Sequence, residues 1–465
     1  MNKTHSKYSF YIIISVFFFW GFVAASNGIL IPLFKEKFAL SQFQSQFVDL
    51  AFYMAYTIGA IVYYLISQKS GDPLIKIGYK KGLVYGLLLS AVGSLLFIPA
   101  SILNSYPLLL FALFIIGLGF ALQQIVANPL VINFGNPEKG SQRLNLAGGI
   151  NSFGTTIGPV VLSYLLFGEI DNSDSNSNSI EQINTPALIL FFLFVLSAIV
   201  IIASHIPKPN DQITTINKKN VFRFPQLTFG MIAIFVYVGV EVSIQSNLAP
   251  FLKMPNILGL EHTKISHFIS LYWGSLMIGR WNASVDVFEI KKALKLFLKI
   301  LMPIIALALI YFVNYLRGSN VSDFHLYIPF VLIAVLLMIY AGKNPLKLLL
   351  IMSIAGMLMM ILGLVSEGSL ALYAFLSGGL FCSVMWPCIF TLAISGLGNQ
   401  TNQGSSLLVM MIMGGAIIPP IQGWIADQTN PHLAYIVTVF CFAYLVFYAL
   451  KMKSLGLDKA ETISH

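Results

Sequence analysis

The sequence predicts an all-α polytopic membrane protein, and composition and hydropathy are the observations that predict it. Of the 465 residues, 57% are hydrophobic and only 10% are charged, too few charges to cover the surface of a soluble chain of this length. Apolar runs of about 20 residues, the length of a helix that crosses a bilayer, recur along the chain. Strands of a membrane barrel would alternate apolar and polar residues over about 10 positions, so that class is excluded.

The apolar runs divide into two sets that predict two helical bundles. The N-terminal bundle, residues 1–206, contains runs at 9–34, 42–67, 81–101, 106–134, 143–167 and 185–206. A polar, basic linker follows at 207–225. The C-terminal bundle, residues 226–465, contains runs at 226–252, 264–285, 292–314, 325–342, 346–366, 369–397, 403–427 and 431–453. The pattern predicts about fourteen spans, and many membrane transporters are built from two such bundles.

The lysine and arginine residues predict the orientation of the chain. If the N-terminus lies inside and the spans alternate, about 22 of the 27 Lys and Arg residues fall on the inner side, as the positive-inside rule requires. Both termini are then cytoplasmic, and the loop 169–182, which has neither Lys nor Arg, is external. Because this asymmetry explains the net charge of +9, we expect a lipid bilayer and no nucleic acid as partner. The first run is too long for a signal-peptide core and predicts a retained helix.

Two acidic residues lie in predicted spans. Glu241 lies mid-span in the segment YVGVEVSIQSNL, and Gln245 follows one turn later on the same helix face. Asp49 belongs to a polar stripe that repeats every three or four residues, formed by Gln42, Gln46, Asp49, Tyr53 and Tyr56. A carboxyl inside a membrane span is costly and is a functional hypothesis by default. The alternative is that each carboxyl is a buried, hydrogen-bonded structural group.

Neutral polar and aromatic side chains in the spans are the candidates for a substrate site. Amides can hydrogen-bond adjacent hydroxyls, and aromatic rings can offer a flat apolar face to the C–H groups of a ring. The candidates are Asn27, Gln123, Gln124, Asn128, Asn151, Gln245, Asn247, Trp273 and Trp386. We recognise no basic cluster within the spans, which favours an uncharged, polyhydroxylated ligand over an anionic one. The alternative for any single amide is that it holds helices together, at about 0.6 kcal/mol per bond.

The sequence indicates neither a cofactor nor a catalytic centre. Cys382, Cys388 and Cys441 all lie inside apolar runs, and no disulfide framework or metal motif is visible. A membrane-embedded enzyme, such as a lipid-linked glycosyltransferase, would need acidic or His-rich motifs at a loop or span end, and we find none. The one metal ion that the pattern leaves open is Na⁺ near Glu241 or Asp49.

Several segments resemble the fucose/glucose/galactose permease family of the major facilitator superfamily, and its glucose/galactose branch more than its fucose branch. They are FFFWGFVAASNGILIPLF, VDLAFYMAYTIGA, LQQIVANP, RLNLAGGINSFGTTIGP, FVYVGVEVSIQSNL, YWGSLMIGR, GGLFCSVMWPCIFTLAISGLG and QGSSLLVMMIMGGAIIPPIQG. The loop GDPLIKIGYKKG is similar to a degenerate form of the superfamily's loop between spans two and three. The resemblance implies a two-bundle fold of six plus six helices, alternating access, and ion-coupled sugar uptake across a bacterial inner membrane.

The family normally has twelve spans, so the resemblance also implies an insertion here. Two additional spans, at about 292–342, follow the segment YWGSLMIGR. An even number of extra spans leaves the orientation of the later spans unchanged. We interpret this pair as peripheral and assign it no function.

The resemblance fails at the residues that couple protons in fucose-type members. Their Asp of the first span aligns with Gly28, their Glu of the fourth span with Gln124, and a Gln of the fifth span with Gly148. The fucose-type proton pathway therefore does not transfer to this chain. Glu241 stands where the glucose branch usually has Glu, and our hypothesis is that Glu241, together with Asp49, couples H⁺ or Na⁺.

The residue patterns and the family resemblance together predict a monomeric secondary transporter, not an enzyme. We expect it to import a neutral, glucose- or galactose-like monosaccharide by cation symport. An uncoupled sugar facilitator is the main alternative, because two known coupling acids are missing. A membrane sugar sensor that does not transport is the second alternative. Efflux of an apolar drug is disfavoured by the polar inventory of the spans.

Overall fold

The computed structural model of the protein describes residues 3–40, 44, 47–167, 180–204, 206, 220–260 and 265–457. Most of the predicted external loop at 169–182, and most of the predicted linker at 207–225, lie outside these residues. The described residues form helices, turns and irregular connections, and no strand is found among them. The all-α prediction is therefore confirmed.

Before the linker, the described residues form six long helices that follow the predicted apolar runs. They are α1 (Lys3–Lys37), α2 (Phe47–Ser70), α3 (Tyr79–Ile102), α4 (Tyr106–Ile132), α5 (Gly140–Phe167) and α6 (Asn184–Ala203). Short helical turns precede α3, α5 and α6, at Pro73–Ile77, Pro137–Lys139 and Ile180–Ile183. Asp72 caps the first of these turns, because its Oδ1 accepts a hydrogen bond from the backbone N–H of Leu74 at 2.9 Å.

After the linker, the described residues form eight further long helices, two of which are broken. They are α7 (Pro225–Ser246), α8 (Ser266–Ser284), α9 (Lys292–Leu316), α10 (Ile328–Ala341), α11 (Pro345–Val365), α12 (Gly368–Leu376, Gly378–Cys382 and Met385–Ile394), α13 (Thr401–Met410 and Gly414–Gln428) and α14 (Ile436–Ser454). Shorter turns include Leu248–Leu252, Val285–Val287 and Val321–Tyr327. The Asn344 side chain starts α11 by accepting from the backbone N–H groups of Leu346 and Lys347, at 2.9 and 3.0 Å.

Twelve helices among the described residues are long and apolar enough to cross a membrane. The long helices outside that set are α5 and α8, and both carry many polar side chains. Most of these polar side chains are buried within the protein, and they include Gln142, Arg143, Asn145, His267, Arg280 and Asn282. Polar groups that face other helices do not meet lipid, so both helices stay candidates for membrane spans.

The helices group into two compact units that do not follow chain order. The first unit contains Met1–Phe134, Ile157–Val221 and Leu397–Met410, and the second contains Gly135–Thr156, Phe222–Gly396 and Met411–His465. The beginning of α5 therefore groups with the second unit, and the beginning of α13 with the first. The assignment of whole bundles to residues 1–206 and 226–465 stays a prediction.

Small residues let the helices of the first unit approach one another closely. A Cβ added to Gly59 of α2 would lie 3.0 Å from the Cβ of Ala121 on α4. A Cβ added to Gly86 of α3 would lie 2.6 Å from Cγ of Gln123 on α4. Close contact between helix backbones supports packing in a membrane, where the hydrophobic effect does not drive helices together. It also places the polar side chains of α4 inside the unit.

The broken helix α12 forms the core of the second unit. In the most apolar stretch of this helix, 89% of the residues are buried, because α7, α8 and α11 all pack against its segments. The helix is interrupted near Ser377 and Ser383, between its three segments. A break in a buried helix leaves carbonyl groups for side chains to bond, and the carbonyl of Ser383 serves the site described next.

Candidate functional site

The second unit holds a buried ion pair between a carboxylate and a guanidinium. Glu241 of α7 and Arg280 of α8 approach to 3.5 Å between Oε1 and Nη2. Their side chains are 13% and 10% exposed, in that order. Opposite charges this close compensate one another in a medium of low polarity, so the pair adds little net charge to the unit.

Several neutral groups hold the Arg280 guanidinium in addition to Glu241. Its Nε donates to the carbonyl oxygen of Ser383 at 3.0 Å, and its Nη1 donates to Oγ of Ser152 at 2.8 Å. The same Nη1 lies 3.5 Å from Oδ1 of Asn151. Because these partners lie on α12 and α5, the guanidinium joins three helices at the point where it meets Glu241.

Two adjacent glycines of α5 make room for the side chains of α8. A Cβ added to Gly148 would lie 3.3 Å from Cδ of Arg280, and one added to Gly149 would lie 2.7 Å from Cδ1 of Trp281. Trp281 also donates from Nε1 to the carbonyl oxygen of Gly149 at 3.2 Å. The stem of Arg280 thus fills the space beside Gly148.

Glu241 keeps one carboxylate oxygen available. Oε1 accepts a hydrogen bond from the hydroxyl of Tyr237 at 2.9 Å, in addition to facing Arg280. The hydroxyl of the buried Tyr272 donates to the backbone carbonyl of Glu241 at 2.6 Å. In the part of the chain that the structure describes, no hydrogen bond or ion pair reaches Oε2. That oxygen can accept a hydrogen bond from a hydroxyl group of a ligand.

Three further predicted site residues lie near the Glu241–Arg280 pair. Asn151 is half-buried and contacts Arg280, as described above. Trp386 is half-buried, and its ring lies 6.2 Å from that of Tyr237, centroid to centroid. Gln245 is half-buried one turn after Glu241 and makes no side-chain hydrogen bond to a described residue. The structure therefore joins Asn151 to Arg280, packs Trp386 near Tyr237, which donates to Glu241, and places Gln245 one turn along α7 from Glu241.

Two other predicted residues of the second unit have different surroundings. Asn247 is buried, and its Nδ2 donates to the carbonyl oxygen of Pro431 at 2.7 Å. This bond ties the end of α7 to the turn before α14. Trp273 is half-buried on α8 and packs edge-on against Tyr272, with ring centroids 5.6 Å apart. No contact between Trp273 and the ion pair is seen among the described residues.

The second carboxyl candidate, Asp49, lies in the first unit. Its Oδ1 accepts a hydrogen bond from Nδ2 of Asn27 on α1 at 3.1 Å. Asn27 is only 3% exposed, and its Oδ1 has no hydrogen-bond partner among the described residues. None of the ion pairs found in the described ranges includes Asp49. Among the described residues, no cationic side chain therefore compensates the Asp49 carboxylate, unlike that of Glu241.

Gln123 of α4 uses both ends of its amide inside the first unit. Its Oε1 accepts from Nε1 of Trp20 at 3.0 Å, and its Nε2 donates to Oγ of Ser90 at 3.1 Å. The side chain is fully buried. These bonds join α4 to α1 and α3, which is the structural role that the sequence left open for single amides.

The other two amides of α4 share a helix face and are less engaged. Gln124 is half-buried and donates from Nε2 to the hydroxyl of Tyr56 at 3.3 Å. Asn128 is 1% exposed, and neither its Nδ2 nor its Oδ1 has a partner among the described residues. Buried polar atoms normally have a hydrogen-bond partner, so an amide without one marks a place where water or a ligand can bind.

Sequence reasoning missed Arg280, although it lies in the quoted segment YWGSLMIGR. An arginine inside a largely apolar run is itself the signal that could have found it. Ser152 and the carbonyl of Ser383 were missed too. A serine inside a helix usually bonds its own backbone, so these positions carry no sequence signal.

These helices and their buried polar residues define a polytopic transporter. Residues 12–342 match the Major Facilitator Superfamily, and the chain belongs to that superfamily. The sequence is 32% identical to the glucose/galactose transporter of Brucella abortus biovar 1 (strain 9-941), over 94% of this chain and 92% of that relative. It is 27% identical to the L-fucose-proton symporter of Escherichia coli (strain K12), over 95% of this chain and 92% of the relative.

A solved structure shows the same fold. The crystal structure of the transporter FucP in the outward conformation matches with a TM-score of 0.73 and 25% identity, covering 95% of this chain and 98% of that one. Together these matches confirm the predicted resemblance to fucose, glucose and galactose permeases. The higher identity to the glucose/galactose transporter agrees with the branch that the sequence motifs favour.

Proposed function

We propose that this protein is a secondary active transporter that imports a neutral monosaccharide by symport with H⁺ or Na⁺, through alternating access. The names of its relatives favour a glucose- or galactose-like hexose as substrate. The observation that carries the proposal is a difference in charge balance. Glu241 is compensated by Arg280, whereas Asp49 has no cationic partner among the described residues. A compensated site suits an uncharged sugar, and an uncompensated carboxylate suits a coupling cation.

The proposed sugar contacts in the second unit surround the ion pair. Oε2 of Glu241 and the free amide of Gln245 offer hydrogen-bonding groups one helical turn apart. Asn151 offers an amide, and Trp386 offers a flat apolar face to the C–H groups of a sugar ring. Arg280 holds Glu241 and Asn151 in place while its charge stays compensated. A few oriented polar groups next to an aromatic face are typical of small-molecule sites.

The first unit contains further candidate residues for sugar binding. Gln124 and Asn128 share a face of α4, and Asn128 has unused hydrogen-bonding capacity. We propose these two amides as sugar contacts as well. The bonds of Gln123 and Asn247 within their own units favour a helix-holding role for both of them. Trp273 is the weakest of the predicted contacts, because its described partner is Tyr272 rather than a group of the ion pair.

We propose that the two carboxyls, Asp49 and Glu241, have different roles in ion coupling. Asp49 is the group that the cation neutralises, and Na⁺ could be held there by the carboxylate and the unpartnered Oδ1 of Asn27, since both are hard oxygen donors. Glu241 takes part in coupling through the sugar, because its available Oε2 gains a hydrogen bond when a sugar hydroxyl arrives. The ion-binding role that the sequence assigned to Glu241 together with Asp49 is thus given to Asp49 in this proposal, and Glu241 keeps an indirect part in coupling.

We also propose that all fourteen long helices span the membrane and that α9 and α10 are the additional pair. The packing supports this, because α11 contacts α12 and α14 as α3 contacts α4 and α6 in the first unit. On that correspondence α11 occupies the ninth position of a twelve-helix fold. An even insertion keeps both termini cytoplasmic. We expect a monomer in a bacterial inner membrane.

An uncoupled facilitator is the second candidate, and a specific observation favours it. The positions of the fucose-type coupling acids are occupied by Gly28 and Gln124. If Asp49 does not replace them, sugar would equilibrate without being accumulated. The two functions therefore differ in one measurable quantity, which is the accumulation ratio under an ion gradient.

The deciding experiment is radiolabelled glucose uptake into proteoliposomes under an inward Na⁺ gradient, an inward proton gradient, and neither. Concentrative uptake under one gradient supports symport and names the ion. Equilibration under all three conditions contradicts symport and establishes the facilitator. If glucose does not enter, a panel of unlabelled sugars is tested as competitors in a binding assay. Binding without flux would identify a sensor.

A further inference from the structure

Helix α9 and the turn Val321–Tyr327, which leads into α10, contact α8 through polar side chains, most of them buried. All three lie in the second unit, and α9 packs along α8. A helix pair that merely added lipid-facing surface would need only apolar contacts, because buried polar groups are costly in a membrane. Polar bonds instead join the pair to α8 at three levels along its length.

The first level is a buried ion pair beside the C-terminal end of α8. Nζ of Lys299 on α9 lies 2.5 Å from Oδ2 of Asp286, in the turn that follows α8. Nζ of Lys295 lies 3.9 Å from Oδ1 of the same residue. Asn282 of α8 donates from Nδ2 to the carbonyl oxygen of Lys299 at 2.7 Å. Lys299, Asp286 and Asn282 are all buried, so this end of α8 is held by charge and by an amide.

The second level lies near the middle of α8. Oγ of Ser275 hydrogen-bonds the hydroxyl of Tyr327, in the turn before α10, at 2.9 Å. The same hydroxyl donates to the carbonyl oxygen of Leu376 on α12 at 3.1 Å. A Cβ added to Gly274 would lie 2.6 Å from side-chain carbons of Ile310 on α9. The centre of α8 is therefore in close contact with α9 and with the turn that leads into α10.

The third level lies at the N-terminal end of α8. Nε2 of His267 lies 3.1 Å from Oδ2 of Asp323, in the turn before α10. Nδ2 of Asn314, at the end of α9, donates to Oγ of Ser270 at 2.9 Å. With these bonds, α8 is tied to the pair from its first turn to its last.

Most of these contacts lie on the side of α8 that faces away from the ion pair with Glu241. Arg280 comes two residues before Asn282, which places it about 200° around the helix axis. One face of α8 is thus bonded to α9 and α10, and the opposite face presents Arg280 to Glu241. A shift of α8 would move the guanidinium directly, because its other partners lie on α5 and α12.

We propose that α9 and α10 form a polar brace that positions Arg280 against Glu241, with Lys299, Asp286 and Tyr327 as its positioning residues. Such a brace would give a function to the pair, to which the sequence assigned none. The brace itself is a property of the second unit alone. Its consequence for uptake rests on the proposed function, so the two parts are tested by separate measurements.

The first measurement is hydrogen–deuterium exchange of the purified protein, read on peptides that cover Ser266–Ser284. We expect Lys299→Met to accelerate exchange in α8. The matched control is Lys292→Met, the same change at an exposed lysine of the same helix. If Lys299→Met does not fold, Tyr327→Phe removes only a hydroxyl, with Tyr315→Phe at an exposed tyrosine of α9 as its control. Unchanged exchange in α8 for both test variants would overturn the brace, whichever sugar is carried.

The second measurement separates positioning of Arg280 from general stability. The KM for sugar uptake is determined for Lys299→Met in the wild-type background and in Arg280→Lys. If the brace acts through Arg280, Lys299→Met raises KM roughly two- to tenfold in the wild type and by a smaller factor in Arg280→Lys. Equal factors in both backgrounds, or a loss of Vmax with unchanged KM, would show that the pair only stabilises the unit and would refute the positioning role.

Discussion

Glu241 and Asp49 offer a comparison between the two units of this protein. Each carboxylate lies in a helix that is apolar enough to cross a membrane. Each accepts a hydrogen bond from a neutral side chain, from Tyr237 at 2.9 Å and from Asn27 at 3.1 Å, in that order. The two differ in their charge partners, since Arg280 lies 3.5 Å from Glu241 and Asp49 has no ion pair among the described residues.

The difference shows that position alone does not assign a task to a buried carboxyl. Both residues are functional candidates because they lie within spans. A carboxylate beside a guanidinium is already compensated and gains little from a further cation, whereas an uncompensated carboxylate gains much from one. The charge partner therefore separates the proposed ion site at Asp49 from the proposed sugar site at Glu241.

The largest expected effect is the loss of sugar accumulation in Asp49→Asn. Without the carboxylate there is no charge for H⁺ or Na⁺ to neutralise, so the driving ion no longer contributes to uptake. We expect the ratio of internal to external sugar in proteoliposomes to fall to unity under the driving gradient. Entry of sugar down its own gradient should persist, because the proposed contacts in the second unit are intact.

Glu241→Gln is the matched comparison for this prediction. It is the same chemical change at the compensated carboxyl, and we expect a raised KM with some accumulation retained. The comparison would be reversed, and Glu241 would be the ion-binding residue, if Glu241→Gln equilibrated sugar while Asp49→Asn still concentrated it.

The second prediction concerns the stability of the ion pair. Arg280→Gln leaves the Glu241 carboxylate buried without its charge partner, and loss of one member of a buried pair typically costs about 3–5 kcal/mol. The double variant with Glu241→Gln removes both charges, so we expect it to be more stable than Arg280→Gln alone. Melting temperatures in detergent give the ranking. A double variant less stable than Arg280→Gln would show that the pair does not hold the two charges in mutual balance.

The helices were predictable because the signal for them is strong. Apolar runs separated by polar residues located each long helix to within a few residues, as at 106–134 for Tyr106–Ile132. α5 and α8 could be predicted although their hydropathy is weaker, because charged residues still mark their ends. What the sequence pattern does not contain is the pairing between distant helices.

The site was predictable only in part, for the same reason. Glu241, Asn151 and Trp386 stand out as polar or aromatic residues in apolar runs, and the structure brings them together. The partners of Gln123 and Asn247 depend on which helices are neighbours, so no spacing rule could show that their amides are engaged. Arg280 is visible in the sequence as an arginine in an apolar run. Whether it compensates the charge of Glu241 depends on the distance between the two side chains, which only the fold determines.

The third prediction tests which amides of the second unit contact sugar. Gln245 has no described partner, whereas Asn247 donates to Pro431. We expect Gln245→Ala to raise the KM for sugar roughly two- to tenfold, the loss of one neutral hydrogen bond, with the melting temperature unchanged. Asn247→Ala should instead lower the melting temperature and leave KM unchanged. If both variants raised KM equally, engagement within the unit would not distinguish binding amides from structural ones.

The smallest expected effect is that of Gln123→Leu in the first unit. Two hydrogen bonds are lost, to Trp20 and Ser90, and at about 0.6 kcal/mol per interhelical bond the cost is about 1 kcal/mol of stability. The melting temperature should fall slightly, while KM and the accumulation ratio of the folded protein stay those of the wild type. Gln124→Leu, at the neighbouring position, is the control and should raise KM with a smaller loss of stability. A raised KM in Gln123→Leu would mean that this amide leaves Trp20 and Ser90 during transport to bind sugar, since both ends of its side chain are otherwise occupied.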